Sequence, residues 1–211
     1  MEIKKIKIST KDIALMALFV ALIIAGGFIK IPTPIVPVTL QVEVALLAGL
    51  LLGGVKGGIC MLIYLVMGVI GIPVFTAGGG FSYVLYPTFG YIIGFVVGAF
   101  AVGASVNCLK KNNKLNGKLK YLWILLVTIG ALLIVYAIGV VYMFLIKNFY
   151  LQTTMTFASA LYYGFVLFLP FDLCGCVVAS LVYIKLAPIL NKEKQGKEKE
   201  QILNSEDSSQ Q

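Results

Sequence analysis

The chain has 211 residues, of which 60% are hydrophobic and 12% are charged, and its mean hydropathy is +0.97. This composition excludes an ordinary soluble domain and predicts an all-α membrane protein, because helices satisfy their backbone hydrogen bonds inside lipid. Its seventeen basic residues are all lysines, in short clusters between apolar runs, so its formal net charge of +8 does not indicate a nucleic-acid-binding surface. Histidine is absent too, which removes the commonest general base and metal ligand and argues against an enzyme.

Six apolar runs follow a basic segment over residues 1–11, which we expect to be cytoplasmic. Each run is predicted to form a transmembrane helix, since about 20 mostly apolar residues cross a bilayer. The runs cover residues 12–29, 39–53, 57–72, 87–107, 121–146 and 155–186. Together they define a six-helix membrane domain over residues 12–187. Residues 188–211 carry charges of both signs and little apolar surface, so a disordered cytoplasmic tail is predicted there.

Two irregular segments interrupt the apolar runs. Between the first two runs stands I-P-T-P-I-V-P, whose prolines cannot continue a helix. Between the third and fourth stands G-I-P-V-F-T-A-G-G-G-F-S-Y, which is rich in glycine and aromatic residues. The second and third runs are separated only by G-G-V-K-G-G, which predicts a tight hairpin. Chain order therefore puts both irregular loops on the same side of the membrane.

The lysine positions predict which side that is. With the N-terminus inside, fifteen of the seventeen lysines are cytoplasmic and only Lys30 and Lys147 lie outside. This distribution agrees with the positive-inside rule. We therefore expect both termini in the cytoplasm and both irregular loops facing out.

Apart from Asp12 at the first position of the first run, two acidic residues, Glu43 and Asp172, lie inside the predicted spans. An ionisable group in a bilayer is costly unless it faces protein or water, so each one is a candidate functional residue. Asp172 follows a proline near the outer part of the sixth span and is able to accept hydrogen bonds from a ligand that carries N–H groups. The alternative is that Asp172 pairs with backbone groups freed by the proline. Glu43 either joins the same site or reaches the membrane interface.

The glycine-rich loop is a candidate lid. Gly79 and Gly80 give it flexibility, and Tyr83 just after them supplies an apolar wall for a small molecule. On the first span, Ala17, Ala21 and Ala25 recur at four-residue spacing and make a smooth stripe. Such a stripe lets another helix approach closely, either from a partner or from within the bundle.

Four motifs in chain order carry a resemblance. They are I-P-T-P-I-V-P-V-T-L-Q with L-L-A-G-L-L-L-G, then Y-L-V-M-G-V-I-G-I-P-V-F, then G-G-G-F-S-Y-V-L-Y-P-T-F-G-Y-I-I-G-F, and finally the weaker match L-P-F-D-L. Together these motifs resemble those of the BioY family, the biotin S-components of energy-coupling-factor (ECF) transporters. The resemblance implies a multi-pass subunit of the prokaryotic plasma membrane that binds biotin from outside. It implies assembly with a transmembrane scaffold subunit and two ATPases, and only the ATPases use ATP. We expect no cofactor, metal or nucleic acid to bind this chain. Ala17 and Ala21 would then face the scaffold.

The resemblance also assigns site residues. Asp172 matches the aspartate that accepts the ureido N–H groups of biotin, and Gln41 and Tyr91 match pocket positions. Phe171 stands where the family has glycine, and Gly175 stands where it has a lysine. Loss of that cation removes a charge-assisted hydrogen bond of about 1.5–3 kcal/mol, or roughly one to two decades of affinity.

Other functions stay open at this point. The same fold is compatible with a related vitamin or precursor, such as lipoate or dethiobiotin. A stand-alone carrier driven by an ion gradient would use Glu43 and Asp172 as proton sites. An intramembrane enzyme lacks a recognisable nucleophile, base or metal cluster in this sequence.

Overall fold

The structure, a computed structural model, describes residues 8–33, 35–115, 117 and 119–207, and only the backbone of 190–207. Its helices are α1 (Thr10–Phe28), α2 (Gln41–Leu52), α3 (Gly54–Val69), α4 (Phe89–Lys111), α5 (Lys120–Leu145), α6 (Phe157–Leu161) and α7 (Leu169–Asp207). The short elements are strands β1 (Lys30–Ile31) and β2 (Val38–Thr39), which pair antiparallel, a 3₁₀ helix (Phe81–Leu85), and π-helical turns at Ile146–Tyr150 and Tyr162–Val166.

A helix lies at each of the six predicted positions, with α6 and α7 sharing the last one. Within the described residues, four helical segments are long and apolar enough to cross a membrane, namely α1, α4, α5 with its π-helical turn, and the segment Phe157–Ile189. The helices α2 and α3 have 12 and 16 residues, or about 18 and 24 Å at 1.5 Å per residue. Both are shorter than a hydrocarbon core of about 30 Å. A count of six spanning helices therefore stays a prediction.

The connection between α2 and α3 is tighter than the sequence indicated. Gly53 alone separates the two helices and has a φ of +86°, which suits glycine. The predicted hairpin loop G-G-V-K-G-G is therefore wrong in extent, because its last five residues begin α3. The bend also lets α2 pack closely on α4: a Cβ on Gly49 would lie 2.2 Å from the carbonyl oxygen of Ala99.

Contacts between distant residues define the two ends of the bundle. At one end, Asp12 in the first turn of α1 forms an ion pair of 2.5 Å with Lys56 near the start of α3. Asp12 also forms a capping box with Ser9, which fixes the start of α1. At the opposite end, Lys30 Nζ donates a hydrogen bond of 3.2 Å to the carbonyl oxygen of Thr76. This bond joins the two irregular loops.

At its C-terminal end, α7 continues to Asp207. The backbone of residues 188–207 is thus helical. The disorder of residues 188–211 stays a prediction. The cytoplasmic location of the segment stays a prediction.

Candidate binding site

A cavity lies at the end of the bundle where the two irregular loops meet. Counting its open mouth, about 570 Å³ of space is free of protein atoms. Both loops and the helices α2, α4, α5 and α7 contribute to its walls. Its polar lining residues are Thr39, Gln41, Thr76, Tyr83, Thr88, Tyr91, Tyr136 and Asp172. Four of the predicted ligand residues, Gln41, Tyr83, Tyr91 and Asp172, are therefore brought together.

Asp172 supplies the acidic group of this cavity. Its side chain is 5% exposed and belongs to the first turn of α7, where its backbone amide donates a hydrogen bond of 3.0 Å to the carbonyl of Phe168. The hydroxyl of Tyr136, from α5, donates a hydrogen bond to Asp172 Oδ2. The carboxylate is thus held in place by a phenol from another helix. A buried carboxylate that faces a cavity is a strong acceptor for N–H donors.

Gln41 and Tyr91 line the cavity with polar groups that already have partners. Gln41 Nε2 donates to Tyr64 Oη at 2.6 Å, and Tyr64 Oη donates to the carbonyl of Val74 at 3.3 Å. Tyr91 Oη donates to the carbonyl of Gly164 at 2.8 Å. These bonds connect α2 to α3 and its loop, and α4 to the last span. Both side chains therefore fix the shape of the walls.

The glycine-rich loop is anchored by one aromatic ring. Phe75 is 2% exposed, and its ring centroid lies 4.6 Å from that of Tyr83. It rests on Gly68 of α3, where a Cβ would lie 1.9 Å from the ring, so glycine alone fits. Tyr83 in turn shares hydrogen bonds of 3.0 and 3.1 Å with the hydroxyls of Thr76 and Thr88. The loop thereby presents three hydroxyl groups to the cavity.

The predicted lid glycines lie behind this surface. Gly80 N donates a hydrogen bond of 2.7 Å to the carbonyl of Gly68, and a Cβ on Gly79 would lie 2.2 Å from the carbonyl oxygen of Ile72. Neither Gly79 nor Gly80 is among the lining residues. Their contacts hold the loop against α3.

Glu43 lies outside the cavity lining as well. It faces a groove on the outer side of the bundle, between α2 and α7, together with Gly175 and largely apolar neighbours. Its Oε2 atom is buried without a hydrogen-bond partner. Asp172 lines the cavity and is not among the groove residues.

The alanine stripe faces away from the bundle. Ala17, Ala21 and Ala25 are exposed on α1, beside Leu18 and Leu22, which are 52% and 42% exposed. This face is therefore open to lipid or to a partner helix.

Four polar lining residues were not predicted as ligand residues. Thr39, Thr76 and Thr88 stand in or beside the irregular loops, and a hydroxyl in a loop at the mouth of a membrane bundle is a usable signal. Tyr136 stands near the middle of a 26-residue apolar helix, where an isolated polar group is also informative.

The chemistry of the cavity is that of binding. Within the described residues, no group of three His, Cys, Asp or Glu side chains is placed to hold a metal ion. The cavity combines one carboxylate, an amide and several hydroxyls with apolar walls, which suits the orientation of a small molecule. Fold and cavity together define a membrane-embedded small-molecule-binding protein.

Comparison with known proteins gives the family. The sequence profile of the BioY family matches residues 2–192, and the chain belongs to that family. A probable biotin transporter BioY of Lysinibacillus sphaericus is 38% identical over 178 residues, 84% of this chain and 87% of that protein. The biotin transporter BioY of Thermotoga maritima is 36% identical over 170 residues, 80% of this chain and 91% of that one.

A solved structure matches the fold. The crystal structure of the S-component for biotin from an ECF-type ABC transporter aligns with a TM-score of 0.72 at 25% sequence identity. The alignment covers 85% of this chain and 94% of that chain. The family that the sequence motifs suggested is thereby confirmed.

Proposed function

We propose that this chain is the S-component of an ATP-driven ECF importer, a transport subunit without enzymatic activity, and that its ligand is biotin. Relatives named as biotin transporters and the fold of a biotin S-component support this function. The observation that carries it is the buried Asp172 carboxylate, which Tyr136 holds at a cavity between the two irregular loops.

Biotin fits the chemistry of these groups. Its ureido ring carries two N–H donors and one carbonyl acceptor. Asp172 accepts from the N–H groups. The hydroxyls of Thr76, Tyr83 and Thr88 have three protons for the two hydrogen bonds between them, so one of them donates to the carbonyl. Phe95 and Phe168 supply apolar walls for the fused ring. Gln41, Tyr83 and the ring of Tyr91 complete the site.

Biotin competes in this site with related ligands. The cavity lining that the structure describes contains no lysine, and Gly175 stands where the family has one. Dethiobiotin keeps the ureido group and is therefore the closest rival. Lipoate has no N–H donor for Asp172 and should bind more weakly.

The orientation follows from charge and from the two ends of the bundle. Six helices cross the plasma membrane, with both termini and residues 188–211 in the cytoplasm. The Asp12–Lys56 pair supports one shared end for the start of α1 and the α2–α3 turn, and the Lys30–Thr76 bond supports the opposite end for the loops. The cavity then opens to the outside.

The alanine stripe is the proposed docking face for the transmembrane scaffold subunit, which links this chain to two ATPases. Exposure of Ala17, Ala21 and Ala25 supports this role, because small residues let helices approach closely. The remaining outer surface contacts lipid.

Titration calorimetry of the purified chain in detergent tests the ligand. Saturable heat with biotin at micromolar concentration or below, and weaker binding of lipoate, are expected. An absence of heat with biotin would refute biotin as the ligand, and tighter binding of dethiobiotin would reassign it.

Vesicles that contain this chain alone test the importer role. Uptake of biotin into such vesicles under an ion gradient, without ATPase subunits, would show that the chain is a stand-alone carrier and not an S-component. Uptake that requires the scaffold and ATPases is expected.

A further inference from the structure

Lys30 is the only charged residue of the two segments that contain the irregular loops, residues 29–40 and 70–88. It lies in strand β1, directly opposite Thr39 of β2. Directly opposed residues of an antiparallel pair extend to the same face of the sheet, so the Lys30 side chain leaves the hairpin beside that of Thr39. Thr39 lines the cavity. The pairing therefore places Lys30 at the rim of the ligand site.

A hydrogen bond places the charged end of this side chain. Lys30 Nζ lies 3.2 Å from the carbonyl oxygen of Thr76, a second lining residue of the cavity, which belongs to the other loop. The Thr76 hydroxyl in turn shares a hydrogen bond of 3.0 Å with Tyr83 Oη. The strand pairing on one side and the bond to Thr76 on the other thus set the Lys30 ammonium group at the mouth of the cavity.

The ammonium group of Lys30 is available to an anion. The side chain is exposed, and among the described residues its amine forms this one hydrogen bond. An ammonium group has three N–H donors, so two of them are open to a further acceptor. The partner that it has is a main-chain carbonyl, which carries no net charge. A ligand that brings a carboxylate to the mouth therefore finds both a positive charge and hydrogen-bond donors there.

The ligand site then has opposite charges at two separate places. Asp172 supplies a carboxylate in the first turn of α7, and Lys30 supplies an ammonium group at the mouth. Biotin has the complementary arrangement, because its ureido ring carries N–H donors and its alkyl chain ends in a carboxylate that is ionised at neutral pH, like a Glu side chain. Asp172 repels this carboxylate and Lys30 attracts it. The two charges thereby orient the molecule with its ring inward and its chain toward the mouth.

We propose that Lys30 binds the carboxylate of the ligand and makes the site select free acids over their neutral derivatives. This inference rests on the proposed function, in which Asp172 binds the ureido ring of biotin. The ligand is then recognised at both ends by groups of opposite charge. Biotin in amide linkage, as when it is attached to a lysine side chain of another protein, has lost its negative charge and binds more weakly.

Calorimetry with two ligands tests the charge contact. Biotinamide has a neutral primary amide in place of the carboxylate and nearly the same size as biotin. Wild type should bind biotin at least about fivefold more tightly than biotinamide, the size of a favourable exposed ion pair. In Lys30→Met this preference should disappear, because the uncharged side chain cannot attract the carboxylate. Lys30→Arg keeps the positive charge and should retain the preference.

A merely structural role of Lys30 would give a different result. Lys30→Met also removes the hydrogen bond to Thr76, and loss of that support for the loops would weaken biotin and biotinamide by the same factor. Equal losses for both ligands, or an unchanged affinity of Lys30→Met for biotin, would overturn the proposal. Lys147→Met is the matched control, since Lys147 is the other lysine predicted to lie outside but does not line the cavity. Its replacement should leave the preference as in wild type, and loss of the preference there would show a general effect of surface charge instead.

Wild-type protein alone gives a second measurement that does not depend on how any variant folds. Added salt should reduce its preference for biotin over biotinamide, because exposed charges are screened. A preference that does not change with salt would overturn the proposal. If wild type binds neither ligand, the proposed function fails as well. If wild type binds both ligands with equal affinity, the biotin site stands and only the role of Lys30 fails.

Discussion

Replacement of Asp172 by alanine removes the carboxylate that the cavity offers to ligand N–H groups. A hydrogen bond to a charged group contributes about 1.5–3 kcal/mol, and 1.4 kcal/mol corresponds to about a factor of ten in affinity. We therefore expect biotin to bind about 10- to 100-fold more weakly. Asp172→Asn retains one oxygen acceptor and should lose less. Membrane insertion should persist, because removal of an ionisable group from a span favours insertion.

Calorimetry on the purified variants measures this loss. Phe171→Ala is the matched control, because Phe171 is the adjacent residue on α7 but is 54% exposed; it should bind like wild type. Tyr136 loses its acceptor in Asp172→Ala, which should destabilise the fold by about 1–3 kcal/mol, so thermal unfolding must be followed in parallel. A variant that is folded and binds biotin with unchanged affinity would refute the assignment of Asp172 to the ligand.

Three further predictions concern the loop, the outer face and the inner end. Gly68→Ala forces a Cβ into the Phe75 ring, so it should lower the free energy of unfolding by about 1–3 kcal/mol and weaken biotin binding. Unchanged thermal unfolding would contradict the idea that Phe75 anchors the loop. Ala21→Leu should leave biotin binding intact and reduce the scaffold recovered with this chain in co-purification; loss of binding would instead place the stripe inside the bundle. Lys56→Met removes the ion pair with Asp12 and should lower the unfolding free energy by about 1–3 kcal/mol, as a calorimetric scan would detect.

The positions of the helices were predictable because a helix that lies in lipid requires a continuous apolar run in the sequence. The α2–α3 connection was not, since a glycine-rich stretch with one lysine has the composition of a loop. A single glycine with positive φ suffices to make the bend, and the remaining glycines serve close packing inside α3. Local composition does not distinguish these two uses of glycine.

The site was predictable in part for a related reason. Asp172 could be found because a charge in a membrane span needs an explanation. The contribution of Tyr136 depends on how α5 is rotated about its axis relative to α7, which no local pattern specifies. The Glu43–Gly175 contact likewise joins two helices far apart in the sequence. In this contact the Glu43 side chain occupies the space that a Cβ at position 175 would need.

The polar groups of the cavity bear on which ligand it accepts. The Gln41 amide donates to Tyr64, and the Tyr91 and Tyr136 hydroxyls donate to Gly164 and Asp172. These donors are committed to the protein, which leaves the Asp172 carboxylate as the strong group still able to take new hydrogen bonds. A ligand without N–H donors would leave that buried carboxylate under-satisfied, at a cost of about 1–3 kcal/mol or more. Biotin and dethiobiotin both supply the donors, so selection between them must come from how closely the apolar walls fit the fused ring.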